Sequence, residues 1–403
     1  MGEDNKKEYT GTTALASVRV LDLTQSEPGA EASLSLAWLG ADVIKIEVPK
    51  GKEDPNVELV QDSTLDRILR VDKKLLTLDI SAAEGYEILK KLAADADIVL
   101  TDGSPRSVSA RGIDYEAMKE INDDVIYARI NSFPDDSPYV ESPINEGTSQ
   151  SVGGFSAVTG ETGGAPLIMD FNIGGSITAT NVCICVLAAM MQRYRTGEGQ
   201  NIEVFSSNAL STINRGNLGV AAANHKNRPR MGTTMAHISL LDSYKTGDGN
   251  YCILFCPPMT EEPWHAFAKT MGREDLIEDS KFCSNKARCA NRSELDGIIL
   301  DWMSQYTNIE VMEKCGANGV ICGAVLTPEQ IIENESLRSI DVVIDAQDAE
   351  GNLYTIPGNP IVMSGATRPK AVIHAVGQDT DEILTQAGLD SAQIDSLRTE
   401  GVI

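Results

Sequence analysis

The residues best placed to do chemistry lie in one segment, 166–205. It opens with Pro166-Leu-Ile-Met-Asp-Phe-Asn-Ile-Gly-Gly175, whose one carboxylate is Asp170. A long uncharged run follows, then Arg193-Tyr-Arg-Thr-Gly-Glu-Gly-Gln200 and the strand-like Asn201-Ile-Glu-Val-Phe205. A carboxylate in such a loop can serve as a nucleophile or a base. The chemistry of this segment therefore depends on whether an acid stands where the helix begins.

The segment resembles that of the family III CoA-transferases, which include formyl-CoA transferase, carnitine CoA-transferase and hydroxyacyl-CoA transferases. In that family a Gly-Asp-x-x-x-Gly loop precedes the helix, and its Asp attacks the acyl-CoA to form a mixed anhydride. The ungapped match, anchored at Pro166 and at Arg195-Thr-Gly197, puts Gly175 at the position of this Asp. The resemblance thus implies that the catalytic Asp is replaced by Gly175. Asp170 can substitute only if the chain shifts by about one helical turn before the helix.

The resemblance also implies three CoA-binding segments in this chain. After the first strand, Thr24-Gln-Ser-Glu-Pro-Gly-Ala30 keeps the family's Gly and Pro in altered order. Glu27 brings a carboxylate towards this polyphosphate site, although an acid also suits a helix N-terminus. The second place, Asp72-Lys73-Lys74, matches the family's Asn-Lys-Arg, and a solvated strand end is the other interpretation of these lysines.

The third place follows the fourth strand, where relatives read Glu-Asn-Phe-x-Pro-Gly and then an Arg ahead of a Gly. Here the chain reads Thr101-Asp-Gly-Ser-Pro-Arg106 and Ala110-Arg111-Gly112, so Asp102 replaces the amide and Gly103 the aromatic ring. From the resemblance we predict these CoA-binding residues: Gln25, Ser26, Lys73, Lys74, Arg106 and Arg111.

Racemases of the same fold use a His-Asp step and an Asp ahead of the central helix. The corresponding residues are Asn145 and Glu146, followed by Gly175. An Asn side chain cannot abstract an α-proton, so proton-transfer chemistry of the racemase kind is not expected. The loop after the fifth strand, 131–138, is also bulkier than the family's Ser-Gly-Phe/Tyr-Gly.

Composition limits the other possibilities. The 403 residues carry 59 acidic and 34 basic side chains, a net charge of −25, which disfavours nucleic acid as a partner. The N-terminus lacks the apolar stretch of a signal peptide, and the uncharged run around 171–192 is better explained by a buried helix than by a membrane span. Four scattered histidines and eight cysteines without a Cys-x-x-Cys indicate no metal site and reduced thiols. We therefore expect a cytoplasmic protein.

Alternating strand and helix patterns in the first half predict an α/β fold with a parallel sheet covered on both faces. An Asp-Gly turn at 247–249 predicts a hairpin, and Glu350-Gly-Asn352 predicts another. The resemblance implies a Rossmann-like large domain, a smaller inserted α+β domain and an interlinked dimer. We predict a flexible leader at 1–13, a large domain at 14–224 and 326–403, and a small domain at 225–325.

Three functions stay open at this point. The chain is a non-catalytic subunit of a heteromeric CoA-transferase, like that acting on benzylsuccinate, whose homologous partner carries the Asp. Alternatively it is an active homodimeric CoA-transferase that uses Asp170, or a binding or scaffold protein without CoA chemistry. The CoA donor, such as succinyl-CoA, and the acceptor acid cannot be derived from these residues.

Overall fold

The computed structural model describes residues 13–52, 63–142, 145–235, 237–367 and 369–403. It divides into two compact units. The first comprises 1–157, 168–228 and 335–403, and the second comprises 158–167 and 229–334. The sequence-based boundaries at 224/225 and 325/326 lie somewhat earlier, and no sequence pattern indicated that 158–167 belongs to the second unit. Of the predicted leader, only Thr13 lies within the described residues.

The first unit is built on a six-stranded sheet in the order β3-β2-β1-β4-β5-β6, with every pair parallel. The strands are Arg19–Asp22 (β1), Asp42–Glu47 (β2), Lys74–Thr77 (β3), Ile98–Asp102 (β4), Ile126–Asn131 (β5) and Gln200–Phe205 (β6). The predicted parallel α/β sheet is confirmed, in the doubly wound order of Rossmann-like folds.

The sheet is covered on both faces because its central strands, β1, β4 and β5, carry buried apolar residues on both sides. Successive residues of β1, Val20 and Leu21, enter two different core clusters. The helices of this part are Glu27–Trp38 (α1), Thr64–Leu69 (α2), Ala83–Ala94 (α3), Pro105–Ala110 (α4), Tyr115–Ile121 (α5), Glu146–Val152 (α6), Phe155–Val158 (α7), Ile173–Thr196 (α8), Ser206–Ile213 (α9) and Arg215–Asn224 (α10). Helices α1 and α8 pack together over one face, and α3 covers the other.

Helix α8 is long and apolar enough to cross a membrane by length and composition, with 44% of its most apolar stretch buried. Its buried side includes Val182 and Val186, which pack with the sheet and α1. Ile184 and Met191, on its other side, are 59% and 70% exposed. The helix is therefore a core element on one side and an apolar surface on the other.

The second unit has its own core around Trp264 and Phe267. Its elements are the antiparallel strands Leu241–Lys245 (β7), Tyr251–Phe255 (β8) and Ile321–Ala324 (β9), with Glu262–Thr270 (α11), Asp275–Glu278 (α12), Asn285–Ala290 (α13), Arg292–Met303 (α14), Asn308–Ala317 (α15) and Pro328–Glu333 (α16). The hairpin predicted at 247–249 is confirmed as the β7–β8 turn.

The chain then returns to the first unit. It adds Glu335–Ser339 (α17), Val343–Asp348 (β10), Leu353–Pro357 (β11), Val372–Ile373 (β12), Thr380–Gln386 (α18) and Ser391–Thr399 (α19). Strands β10 and β11 form the hairpin predicted at 350–352.

Two helices begin elsewhere than local residue types predict. Ser81 with Glu84 three residues later has the pattern of a capping box for α3, but the Ser81 Oγ donates to Asp79 at 2.5 Å, and Ala82 precedes the helix. Ser293 is a favoured N-cap residue type, but α14 already begins at Arg292.

Candidate functional site

A cavity of about 640 Å³ opens where the chain leaves β1, β4 and β5. The carboxyl ends of neighbouring parallel strands form the usual ligand crevice of this architecture. Its lining includes Gln25, Ser26, Asp102, Glu146 and Gly175, so the structure brings several predicted site residues together.

Gly175 lies in the first turn of α8 and lines the cavity. Asn172 caps this helix, and its Oδ1 accepts the Gly175 N–H at 2.9 Å. A β-carbon added at Gly175 would lie 2.3 Å from the Asn172 side-chain oxygen and nitrogen. The space for a side chain at position 175 is therefore taken by Asn172.

Glu146 supplies a carboxylate at the same place. Its Oε1 accepts the Gly174 N–H at 2.8 Å, and its Oε2 accepts the Gly175 N–H at 3.1 Å. Gln150, one turn later, donates its Nε2 to Oε1 at 2.9 Å. Three donors and the positive end of α8 thus hold this anion in place. Sequence reasoning considered Glu146 only as a substitute for a racemase acid and missed this contact, which joins α6 to α8.

Asp102 holds the loop after β1. Its Oδ2 accepts the backbone N–H groups of Gln25 and Ser26 at 2.7 and 2.6 Å. Both donors were predicted to bind CoA, and both amides are already hydrogen-bonded within the chain. The signal in the sequence was the acid in place of the family's amide, but the pairing of 102 with 25 and 26 depends on the fold.

More acids stand close to this cavity. Glu27 and Glu141 line it, and Ser104 donates to Glu141 at 2.7 Å. Burial raises the pKa of the nearby Glu31. The hydrogen bond from Ser176 opposes this rise in pKa, and the negative charges of Glu27 and Glu146 add to it. The cavity is therefore rich in negative charge.

The two predicted lysines lie apart from this cavity. Lys73 is 1% exposed, and its Nζ donates to the Ala30 carbonyl at 2.6 Å and to Ser33 Oγ at 2.7 Å. Burial lowers the pKa of Lys73 to about 8, although Asp22 opposes the shift. Lys74 pairs with Asp42 at 3.2 Å. Lys73 is thus an internal residue, contrary to the interpretation of Lys73 and Lys74 as a solvated strand end.

The two arginines that were predicted to bind CoA differ in their position relative to the cavity. Arg106 is exposed on α4, whereas Arg111 lines the cavity and donates to the Asp102 carbonyl at 2.8 Å. Arg111 also borders a second cavity of about 670 Å³, whose lining includes the apolar side chains of Leu23 and Leu78. Lys52, which also lines both cavities, pairs with Asp79 at 2.5 Å.

Asp170, the alternative nucleophile, is exposed. The loop around it is fixed by Gln150, whose side chain exchanges hydrogen bonds with the backbone of Met169 at 2.8 and 3.0 Å. Among the described residues that line the cavity with Gly175, Asp170 is not included. The structure therefore does not bring it together with the helix start.

Within the described ranges, no three His, Cys, Asp or Glu side chains form a group that could hold a metal ion. The eight cysteines are free thiols.

The parallel sheet and this cavity define a Rossmann-like protein with a ligand crevice at the strand ends. The chain belongs to the family described as CoA-transferase family III, whose model matches residues 15–380. Members of this family use CoA thioesters as substrates.

Its relatives are similar over almost their full length. A formyl-CoA:oxalate CoA-transferase of Streptomyces coelicolor is 29% identical, over 97% of this chain and 99% of that protein. One from Streptomyces avermitilis is 28% identical, over 97% and 100%.

Solved structures agree on the fold. A CAIB/BAIF family protein from Brucella suis has a TM-score of 0.81 and 25% identity, covering 92% of this chain and 98% of that one. A hypothetical protein from Mycobacterium tuberculosis has a TM-score of 0.76 over 93% and 99%; its 22% identity supports the fold alone.

Proposed function

We propose that this chain is the non-catalytic subunit of a heteromeric family III CoA-transferase. The enzyme moves CoA from an acyl-CoA donor, such as succinyl-CoA, to a carboxylic acid, as in the benzylsuccinate CoA-transferase type. A homologous partner subunit supplies the attacking Asp. One observation carries the proposal: Gly175 faces the cavity without a side chain, and Asn172 fills the place where one would lie.

The chemistry needs a free carboxylate. In the family reaction the carboxylate attacks the thioester carbonyl, the CoA thiolate leaves, and a mixed anhydride forms on the enzyme. Loss of a covalent nucleophile costs several powers of ten in rate, because the remaining groups only orient the substrate and stabilise charge. Glu146 lies beside Gly175, but its two oxygens already accept three hydrogen bonds, and we assign it to the support of α8.

Exposed apolar side chains on α8 and α10 support the presence of a partner subunit. Every residue of α10 is exposed or half-exposed although the helix contains Leu218 and Val220. Ile184 and Met191 of α8 are exposed as well. Exposed apolar side chains of this kind favour burial against another subunit. We place such a complex in the cytoplasm.

Two other functions compete with this one. A homodimer that uses Asp170 requires the exposed loop at 169–171 to release Gln150 and turn into the cavity. A scaffold without CoA chemistry requires that no CoA-transferase partner exists.

The test combines purification with trapping. The chain is purified alone and together with a homologue encoded by a neighbouring gene that carries Asp at the loop position. CoA transfer from succinyl-CoA is measured, and hydroxylamine traps the acyl-enzyme intermediate for mass spectrometry. We expect turnover only in the mixture, the intermediate on the partner's Asp, and no change with Asp170→Ala. Turnover by this chain alone, abolished by Asp170→Ala but not by Asp123→Ala, a change at an exposed acid outside the cavity lining, would establish the homodimer instead.

A further inference from the structure

The structure suggests a second difference from an active subunit, independent of Gly175. We propose that Asp102 acts as an internal anion that excludes CoA from this subunit, so that the heteromer binds CoA only at its partner. The part of this inference that concerns the heteromer rests on the proposed function. The exclusion of CoA by Asp102 can be tested on this chain alone.

The geometry comes from the loop after β1. Two consecutive backbone N–H groups, those of Gln25 and Ser26, point to one oxygen of Asp102 at 2.7 and 2.6 Å. Consecutive N–H groups of this kind form a concave anion-binding site. Here the anion is the chain's own carboxylate, and both donors line the 640 Å³ cavity.

Asp102 is held in this position from several sides. It ends β4, next to the end of β1 in the sheet. Arg111 donates to its backbone carbonyl at 2.8 Å, and Gly103, at φ +116°, turns the chain immediately after it. The carboxylate is therefore a fixed part of the cavity wall.

Charge adds to this effect. The cavity lining includes the acids Glu27, Asp102, Glu141 and Glu146 against Lys52 and Arg111. The positive charge of Lys45 acts on Asp102 in the opposite direction, but Lys45 is buried and donates to Asp22 and to the Thr24 carbonyl, so it offers no contact to CoA. A polyanion such as CoA meets a like charge at the loop where two N–H groups would otherwise receive its phosphate or carbonyl oxygens.

The first test measures binding of CoA to the purified full-length chain by calorimetry. Asp102→Asn keeps the shape and one accepting oxygen but removes the charge, and Glu27→Gln removes a second charge. Asp114→Asn is the matched control, because Asp114 likewise accepts a backbone N–H, at 3.0 Å, at the start of α5. We expect CoA affinity to rise about fivefold or more in Asp102→Asn and further in the double variant, with no change in the control.

Pantetheine, which has no phosphate, separates charge exclusion from a general change of shape. Its affinity is expected to stay within about twofold across the same variants. Wild-type binding of CoA as tight as that of Asp102→Asn, or an equal gain for pantetheine, would overturn the inference. Thermal unfolding of each variant verifies the fold.

The second test uses the complex. Wild-type heteromer is expected to bind one CoA per pair of homologous chains, and the Asp102→Asn heteromer to approach two. Two CoA per wild-type pair would refute the exclusion while leaving the proposed function intact. If no heteromer forms, the proposed function fails, but the affinities measured on the single chain still decide the role of Asp102.

Discussion

Asn172 and Gly175 form one structural unit at the start of α8: the Asn172 Oδ1 accepts the Gly175 N–H at 2.9 Å, and its side chain fills the space over the glycine. Restoring an acid at position 175 therefore needs more than one substitution. The same relationship explains why a glycine here is compatible with a stable helix start.

Gly175→Asp by itself is expected to destabilise the chain by about 1–3 kcal/mol, because its β-carbon would lie 2.3 Å from Asn172. Asn172→Gly is expected to cost a few tenths of a kcal/mol. The stability loss of the double variant should be smaller than the sum of the two single losses by at least about 1 kcal/mol. Denaturant unfolding of the four proteins checks this. Gly216→Asp, at a helical glycine with open space around it, is the control and should change stability little. Additive losses would contradict the coupling.

Glu146→Gln should weaken the start of α8, because a single amide oxygen replaces two carboxylate oxygens that accept the Gly174 and Gly175 N–H groups. We expect a loss of about 1–3 kcal/mol. Glu141→Gln, which also changes an acid of the cavity lining, should cost less than about 1 kcal/mol. Hydrogen exchange of the amides at 174 and 175 gives a local measurement. Unchanged protection there would show that Glu146 does not support the helix.

Lys73→Met should destabilise the protein much more than Lys74→Met, although the two residues are neighbours in sequence. Lys73 is buried against Ala30 and Ser33, with Asp22 at 4.0 Å, so its loss leaves buried acceptors unpaired and should cost about 3 kcal/mol or more. Lys74 is partly exposed and should cost at most about 1 kcal/mol. Thermal unfolding distinguishes the two. Equal, small effects would mean that Lys73 is not the internal residue described above.

Asp72→Asn should stabilise the protein at neutral pH. Burial raises the pKa of Asp72 to about 6 from its ordinary 3.8. The folded state therefore binds the proton more tightly than the unfolded state, and the contribution of Asp72 to stability falls as pH rises from about 4 to about 6. Asn keeps an oxygen for the Val372 N–H and tolerates φ 58°.

The expected gain from Asp72→Asn is on the order of 2 kcal/mol at pH 7 and vanishes below pH ~4. Unfolding of both proteins across pH 4–8 measures it. Asp114→Asn, at an ordinary helix cap, should show no such gain. A gain independent of pH would rule out titration of Asp72 as the cause.

The sequence by itself determined the architecture. Strands such as Asp42–Glu47 and Ile98–Asp102, separated by helical patterns, carry apolar residues on both sides, which favours a parallel sheet covered on both faces. The resemblance placed the start of the long helix just after Gly175, whereas α8 begins three residues earlier, at Ile173, and includes Gly175 in its first turn.

The tertiary structure alone decided which groups meet at the strand ends. Glu146 reaches Gly174 and Gly175, and Asp102 reaches Gln25 and Ser26, across 28 to 77 positions of sequence. Burial of Lys73 likewise depends on α1 closing over it. Local patterns encode periodicity and turn chemistry, whereas hydrogen bonds between distant loops depend on how the finished sheet brings the strand ends together. That is why the fold could be predicted and the hydrogen bonds that tie Glu146 and Asp102 into the site could not.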